Sequence, residues 1–222
     1  MKEKPILKIT GLSISFGGIR AVDNFQISLA RNSINAIIGA NGAGKTTVFN
    51  IITGLYAPNE GTVMFEEKDI TAEKPFKITR YGIARTFQNI RIFPNITVLD
   101  NVRIAHNYLK TETFIDALFR TKKYYLSEKE VLENSINLLK TLNLEKHLYM
   151  RAKYLAYGEL RRLEICRALA MKPKLLLLDE PVAGMNPTEL KELSEILLKI
   201  RELFNLTILV IEHQMKFVMN IC

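Results

Sequence analysis

The chain has 222 residues, of which 48% are hydrophobic and 24% charged, a balance that excludes a disordered or low-complexity polypeptide and supplies enough apolar surface for one domain or two intimate lobes. A formal net charge of +8 suits an anionic partner, whether nucleotide, nucleic acid or an acidic membrane leaflet, without choosing among them. Two cysteines, Cys166 and Cys222, exclude a disulfide framework and a paired-cysteine zinc site. They favour a reducing compartment, with Cys166 filling a core position.

Met1 to Pro5 are polar and lead straight into a strand-like run from Ile6, so no secretion leader is expected. Alternating apolar positions in Leu7 to Ile14 and Phe25 to Leu29, with Gly17-Gly18 between, predict an antiparallel pair. Ser33 to Ile38 predicts a short buried strand, followed by a glycine-rich turn and a helix from Lys45 to about Thr53. Asn59-Glu60-Gly61 marks a turn before a strand over Thr62 to Phe65. From about Gln88 to Gly158 the pattern becomes helical, with apolar residues at three- and four-residue intervals over Thr97 to Asn107 and Ser127 to Leu142. Within this inserted lobe, Lys110 to Tyr125 mixes Phe114, Leu118, Phe119, Tyr124 and Tyr125 with Arg120, Lys122 and Lys123, the pattern of a helix packed on one face, or of one touching a lipid surface or partner. After it come a helix from Glu159 to Met171, the strand Leu175 to Leu178, a helix from Pro187 to Phe204 and the strand Thr207 to Ile211. Strands alternating with helices imply a parallel sheet. No aliphatic run is longer than the four residues of Leu175 to Leu178, far short of the roughly 20 residues a membrane-spanning helix needs, so any membrane contact is expected to be peripheral.

Gly39-Ala40-Asn41-Gly42-Ala43-Gly44-Lys45-Thr46 satisfies the phosphate-loop pattern and lies between a predicted strand and a predicted helix, the context that pattern needs. Its glycines let successive N–H groups and the helix start face phosphates, Lys45 supplies a cation, and Thr46 offers a hydroxyl to magnesium. These residues and the following Thr47 are the candidate nucleotide-binding set. Asp179 and Glu180 end the buried strand after Leu178, where ligands of parallel sheets collect. Asp179 is placed to hold the magnesium shell and Glu180 to polarise a water for attack on a terminal phosphate. His213, in Glu212-His213-Gln214 after the last strand, would by itself read as structural.

Leu155-Ala156-Tyr157-Gly158-Glu159 followed by Leu160-Arg161-Arg162-Leu163-Glu164-Ile165 resembles the signature segment of ABC ATPases. The resemblance covers essentially the whole chain, with six motifs in the family's order. Phe16 matches the aromatic that stacks on adenine. Gln88, in Thr86-Phe87-Gln88, matches the glutamine that links magnesium to the transmembrane partner. His213 matches the histidine that contacts the γ-phosphate. The fold implied is α/β: a P-loop NTPase with a RecA-like core, an N-terminal antiparallel β subdomain and an inserted helical subdomain. The resemblance implies a single ABC ATPase domain over 1–222, with a core of 1–87 and 160–222 and a helical and signature subdomain of 88–159, and expects a short family tail beyond Cys222 to be lacking. The phrases Ser15-Phe16-Gly17-Gly18, Gly82 to Gln88, Leu155 to Gly158 and Ala183-Gly184-Met185-Asn186-Pro187 look like the LivG type, the ATPases of branched-chain amino acid importers. Urea or amide importers and the lipopolysaccharide exporter's ATPase share parts of this pattern.

The resemblance therefore implies ATP and Mg2+, with Thr46, Gln88 and Asp179 at the metal, Glu180 as general base and His213 as catalytic partner. ATP would lie between the phosphate loop of one subunit and Ala156, Tyr157, Gly158 and Glu159 of another, in a head-to-tail homodimer or heterodimer. The implied partners are a transmembrane permease, a second ATPase subunit and, indirectly, an extracytoplasmic binding protein, at the cytoplasmic face of the inner membrane. A soluble family member acting on ribosomes or DNA is the alternative from another class. Such proteins carry two cassettes or a long coiled-coil insertion, absent here, so no nucleic-acid partner is expected.

Three positions depart from the general pattern. Ala156 replaces a serine whose hydroxyl would reach the γ-phosphate, at a cost of roughly 1.5–3 kcal/mol if nothing compensates. Asn186 replaces an aspartate but, with Pro187 and Glu189, forms a capping-box pattern. Glu159 replaces a glutamine and places a favourable negative charge in a first helical turn.

Overall fold

A computed structural model describes residues 4–106, 116 and 119–222. The chain divides into two compact units, Met1–Gln88 with Pro173–Cys222, and Asn89–Lys172.

The first unit contains two sheets. In the antiparallel one, β1 (Leu7–Phe16) pairs with β2 (Ile19–Leu29) on one side and β4 (Glu60–Phe65) on the other, and β4 pairs with the two-residue β5 (Lys68–Asp69). The hairpin predicted from Leu7 to Leu29 is longer than its alternating stretches, because register shifts after Ile9, Leu12 and Ile14 interrupt the period-two pattern while leaving the pairing intact. Gly61 sits where a Cβ would lie 2.5 Å from the Gly11 carbonyl oxygen, so this crossing of β1 and β4 admits no side chain.

The second sheet is parallel, in the order β3 (Ile34–Ile37), β8 (Thr207–Ile211), β7 (Leu175–Asp179) and β6 (Ile83–Arg85). All of β7 and β8 is buried, as central parallel strands require, which explains why they are continuous rather than alternating apolar runs. Helix α1 (Lys45–Ile52) buries Val48, Phe49, Ile51 and Ile52, and one apolar cluster joins these to Ile9, Leu12 and Phe65 from one sheet and Leu175, Leu177 and Leu209 from the other.

In this unit β5, α2 (Pro75–Tyr81) and β6 carry too little periodicity to be read from sequence. Helix α2 owes its start to Pro75 in its first turn and its end to Gly82 at φ 102°.

The second unit holds α3 (Val98–His106), α4 (Lys122–Thr141), two 3-10 turns (Glu145–His147 and Ala152–Tyr154) and α5 (Tyr157–Ala170). Helix α4 begins five residues before the predicted Ser127, because Thr121 accepts a hydrogen bond from the Tyr124 N–H and caps it. Asn107 and the part of the Lys110–Tyr125 stretch at 110–115 and 117–118 lie outside the described residues. The division expected at 159/160 falls inside α5, and that helix stays whole in the second unit, which ends at Lys172. Cys166 is fully buried in α5, and burial pushes its thiol far above the ordinary range. In the first unit, α6 (Pro187–Leu203) follows β7, and α7 (Met215–Ile221), not predicted from the sequence, follows β8. Among the described residues no helix is long and apolar enough to cross a membrane.

Candidate phosphate-loop site

The loop between β3 and α1 must curl back on itself, and Gly44 shows why glycine is required. It sits at φ 81°, and a Cβ there would lie 2.3 Å from the Ala21 carbonyl oxygen. Lys45 opens α1, and its ammonium donates to the carbonyls of Gly39 (2.8 Å) and Ala40 (2.9 Å). The cation is thereby held across its own loop with the residue only 8% exposed. Beside it lies a cavity of about 290 Å³, lined by Ala21, Asn41, Gly42, Gly44 and the run Lys45, Thr46 and Thr47, and closed by Gln88 and Glu180. Loop N–H groups, a helix start and a lysine facing one concavity can hold a polyanion.

The two carboxylates after Leu178 are separated by their surroundings. Asp179 is 2% exposed and accepts a hydrogen bond from Arg85 Nη2 at 2.7 Å, while its N–H reaches Thr86 Oγ1 at 3.4 Å. Glu180 turns out of the strand at φ 47°, its N–H bonded to the Ile211 carbonyl at 3.0 Å. Its Oε2 accepts from Gln88 Nε2 at 3.1 Å, so Gln88 and Glu180 form one polar wall of the cavity.

At the end of β8, Glu212 is completely buried. Its Oε1 accepts from the Val182 N–H (3.2 Å), and its Oε2 from the N–H groups of His213 (3.0 Å) and Gln214 (3.3 Å). This carboxylate ties the loop after Glu180 to the loop carrying His213. The His213 side chain is 52% exposed and does not line the cavity. Phe16 is also outside the cavity wall, 43% exposed at the end of β1, with its ring edge-on to Tyr56 at 5.1 Å. Asn186 caps α6: its Oδ1 accepts from the Thr188 and Glu189 N–H groups, and Glu189 accepts from the Asn186 N–H, each at 3.0 Å. That is the full reciprocal box expected from Asn186, Pro187 and Glu189.

The signature residues belong to the second unit. Ala156 precedes α5 without an oxygen to cap it, and Glu159 supplies the other half of the box, accepting from the Ala156 N–H at 2.9 Å. The second Glu159 oxygen meets His147 Nε2 at 2.9 Å. Glu159 is therefore engaged in holding its own segment, as its place in the first helical turn suggested. Tyr157 is anchored at its hydroxyl by Arg161 Nη2 (3.3 Å), and Arg161 is fully buried against Glu164 (3.0 Å). Gly158 is buried in the same turn.

Sequence reasoning missed Arg85, Glu212 and His147. The first two left a signal: a charged residue beside Ile83-Ala84, or directly after the four apolar residues Ile208 to Ile211 of β8, is buried only if its charge is taken up by partners. His147 left none, since its partner is set by the fold.

A family model described as ABC transporter matches residues 22–183. The chain is 42% identical over 219 residues to the high-affinity branched-chain amino acid transport ATP-binding protein BraF of Pseudomonas aeruginosa, covering 98% of this chain and 86% of that one. It is 43% identical, with the same coverage, to LivG of Escherichia coli, whose name describes the same transport. Among solved structures it resembles an ATP-binding cassette of an ABC transporter in its ADP conformation, with TM-score 0.84 and 34% identity over 98% of this chain and 85% of that one. It also resembles cbiO1 of Clostridium perfringens, part of an ABC transporter complex, with TM-score 0.85 and 27% identity over 99% and 83%. With the phosphate loop, the paired strand-end carboxylates and these likenesses together, the chain belongs to the ABC transporter family of ATP-binding proteins.

Proposed function

We propose that this chain binds and hydrolyses ATP to power an ABC importer of branched-chain amino acids. The observation that carries the reading is the convergence of Lys45, Thr46, Gln88 and Glu180 on one cavity. The 42–43% identity to BraF and LivG along nearly the whole chain supports the transported class.

In this reading the loop N–H groups and the α1 N-terminus bind the β- and γ-phosphates. Lys45 exchanges its carbonyl partners for phosphate oxygens. Glu180 orients a water and takes its proton as the water oxygen bonds to the γ-phosphorus, and the bond to the bridging oxygen breaks to leave ADP and phosphate. His213 closes on the γ-phosphate from the β8 loop, and Phe16 offers a face to adenine. Thr46 and Gln88 line the cavity, whereas Asp179 is buried at the end of β7 off its wall; their hydroxyl, amide and carboxylate oxygens would suit magnesium, which takes few protein ligands beside phosphates and waters. A bound magnesium would supply neutralisation of phosphate charge there.

The N-terminus of α5 and its Ala156–Glu159 turn would complete the site of a second ATPase subunit, head to tail, with Gly158 supplying an N–H. Permease subunits would receive the motion through the Gln88 region, placing the chain peripherally at the cytoplasmic face of the membrane.

The test pairs turnover with recovery from membranes. The wild-type chain, purified with what it binds in detergent extracts of its native membrane, is expected to bring down a polytopic permease and a second ATPase. Glu180→Gln should keep ATP binding and lose hydrolysis by about 10²-fold or more. Undiminished hydrolysis by that variant rejects the assigned base, and recovery of ribosomal or DNA-repair proteins without a permease rejects the transport role.

A further inference from the structure

Arg85 is a nearly buried cation that the phosphate-binding reading leaves unused. Its side chain is 5% exposed, and it reaches two elements at once. One nitrogen donates to Asp179 Oδ2 at the end of β7 (2.7 Å); the other donates to Asn50 Oδ1 (2.7 Å) and approaches Thr53 Oγ1 (3.4 Å) at the end of α1. The rings of Phe49 and Phe87 lie 5.4 and 5.1 Å from the guanidinium carbon, so the planar group is confined from further directions. Asn50 is one helical turn beyond Thr46 and Thr53 almost two, which places all three on the same face of α1. The face that carries Thr46 into the cavity is therefore the face that Arg85 grips.

We propose that Arg85 is a positioning residue for divalent-cation binding: by holding Asp179 and Asn50 together, it sets the end of β7 against the Thr46 face of α1 and so fixes the spacing of the oxygens offered to the metal. This rests on the Mg·ATP reading above and deepens it. A lysine cannot reproduce the grip, because it presents a single nitrogen where the guanidinium fork presents two. The same geometry makes Asn50 a participant through a neutral acceptor that touches neither nucleotide nor metal in the proposed mechanism.

The experiment measures binding of a fluorescent ATP analogue to the purified chain by titration, first in EDTA and then with rising Mg2+, and compares wild type, Arg85→Met, Arg85→Lys and Asn50→Ala. Folding is checked by circular dichroism. In wild type, Mg2+ should tighten binding. Arg85→Met should bind the analogue like wild type in EDTA but need about tenfold more Mg2+ for half of the effect, a difference of about 1.4 kcal/mol. Arg85→Lys and Asn50→Ala should fall between the two. An Mg2+ half-point in Arg85→Met equal to that of wild type overturns the proposal while leaving the ATP reading intact. Absence of any Mg2+ effect in the wild-type chain overturns both. Should Arg85→Met fail to fold, Arg85→Lys decides: a raised half-point with unchanged EDTA affinity supports the grip, and a wild-type half-point overturns it.

Discussion

Glu212→Gln isolates the buried carboxylate that joins the two loops of the site. The native side chain accepts three backbone N–H groups with two oxygens, from Val182, His213 and Gln214. Glutamine has one oxygen. If it keeps the His213 and Gln214 bonds, its amide nitrogen faces the Val182 N–H, donor against donor, and the retained pair becomes neutral. A hydrogen bond to a charged group contributes roughly 1.5–3 kcal/mol against roughly 0.5–1.5 for a neutral one. Losing one and weakening two therefore predicts a destabilisation of about 3–6 kcal/mol. The cost should not stay local to folding. Val182 lies two residues after Glu180, so releasing it frees the loop that aims the proposed base, and turnover should fall while ATP affinity holds. Urea unfolding at neutral pH, followed by circular dichroism, reads the first effect as a lower midpoint with an unchanged slope. Steady-state hydrolysis reads the second. A midpoint and a turnover number both equal to wild type would refute the view that this carboxylate braces the site.

Two further outcomes follow from the same kind of accounting. Asn186→Ala removes the acceptor of two N–H groups at the start of α6 and should cost about 1 kcal/mol by urea unfolding. Turnover should be unaffected, and a large loss of turnover at unchanged stability would instead make Asn186 a catalytic group. Glu66 has its carboxyl held below the usual glutamate range, first by a hydrogen bond from Lys174, against an opposing effect of burial, and then by Arg31. The native carboxylate thus gives up its proton more readily than the unfolded one. Its stabilisation is present above the ordinary glutamate value and is lost as pH falls through the lower native value. The difference in unfolding midpoint between wild type and Lys174→Met should therefore shrink on acidification, and a difference constant with pH would rule out this linkage.

What the sequence makes legible follows the range of the interactions concerned. The phosphate loop and its flanking strand and helix are local, so glycine spacing and apolar runs suffice to place them. Strands β7 and β8 are legible because central parallel strands are uniformly apolar. Strand β6 is three residues long and exists only because it pairs with Leu175 to Leu177, far along the chain, and no local pattern reports that. Arg85 has the same difficulty, since its partners Asn50 and Asp179 lie 35 and 94 residues away. Asn186 is the opposite case: its capping box is complete within four residues and could be written down from the sequence. Phe16 and His213 were placed by family pattern, and in this structure both lie outside the cavity wall.

The residues that carry the proposed chemistry do not hold themselves in place. Glu180 sits in the left-handed region, where a side chain costs roughly 1–2 kcal/mol relative to ordinary backbone. That conformation persists because its N–H is bonded to Ile211, its carboxylate meets Gln88, and Glu212 fixes the chain two residues on. Asp179 depends in the same way on Arg85. In the second unit, Glu159 uses both oxygens to hold the Ala156 N–H and His147 together, which gives the α5 N-terminus the definition that an alanine cap cannot supply. In each case a charged side chain outside the reacting set takes up backbone or side-chain groups that burial would otherwise leave unpaired. Its removal costs stability and geometry together. Loss of a brace should therefore appear as slowed turnover or weakened metal dependence with nucleotide affinity largely kept, whereas loss of Lys45 or of the Gly44 turn should abolish nucleotide binding itself.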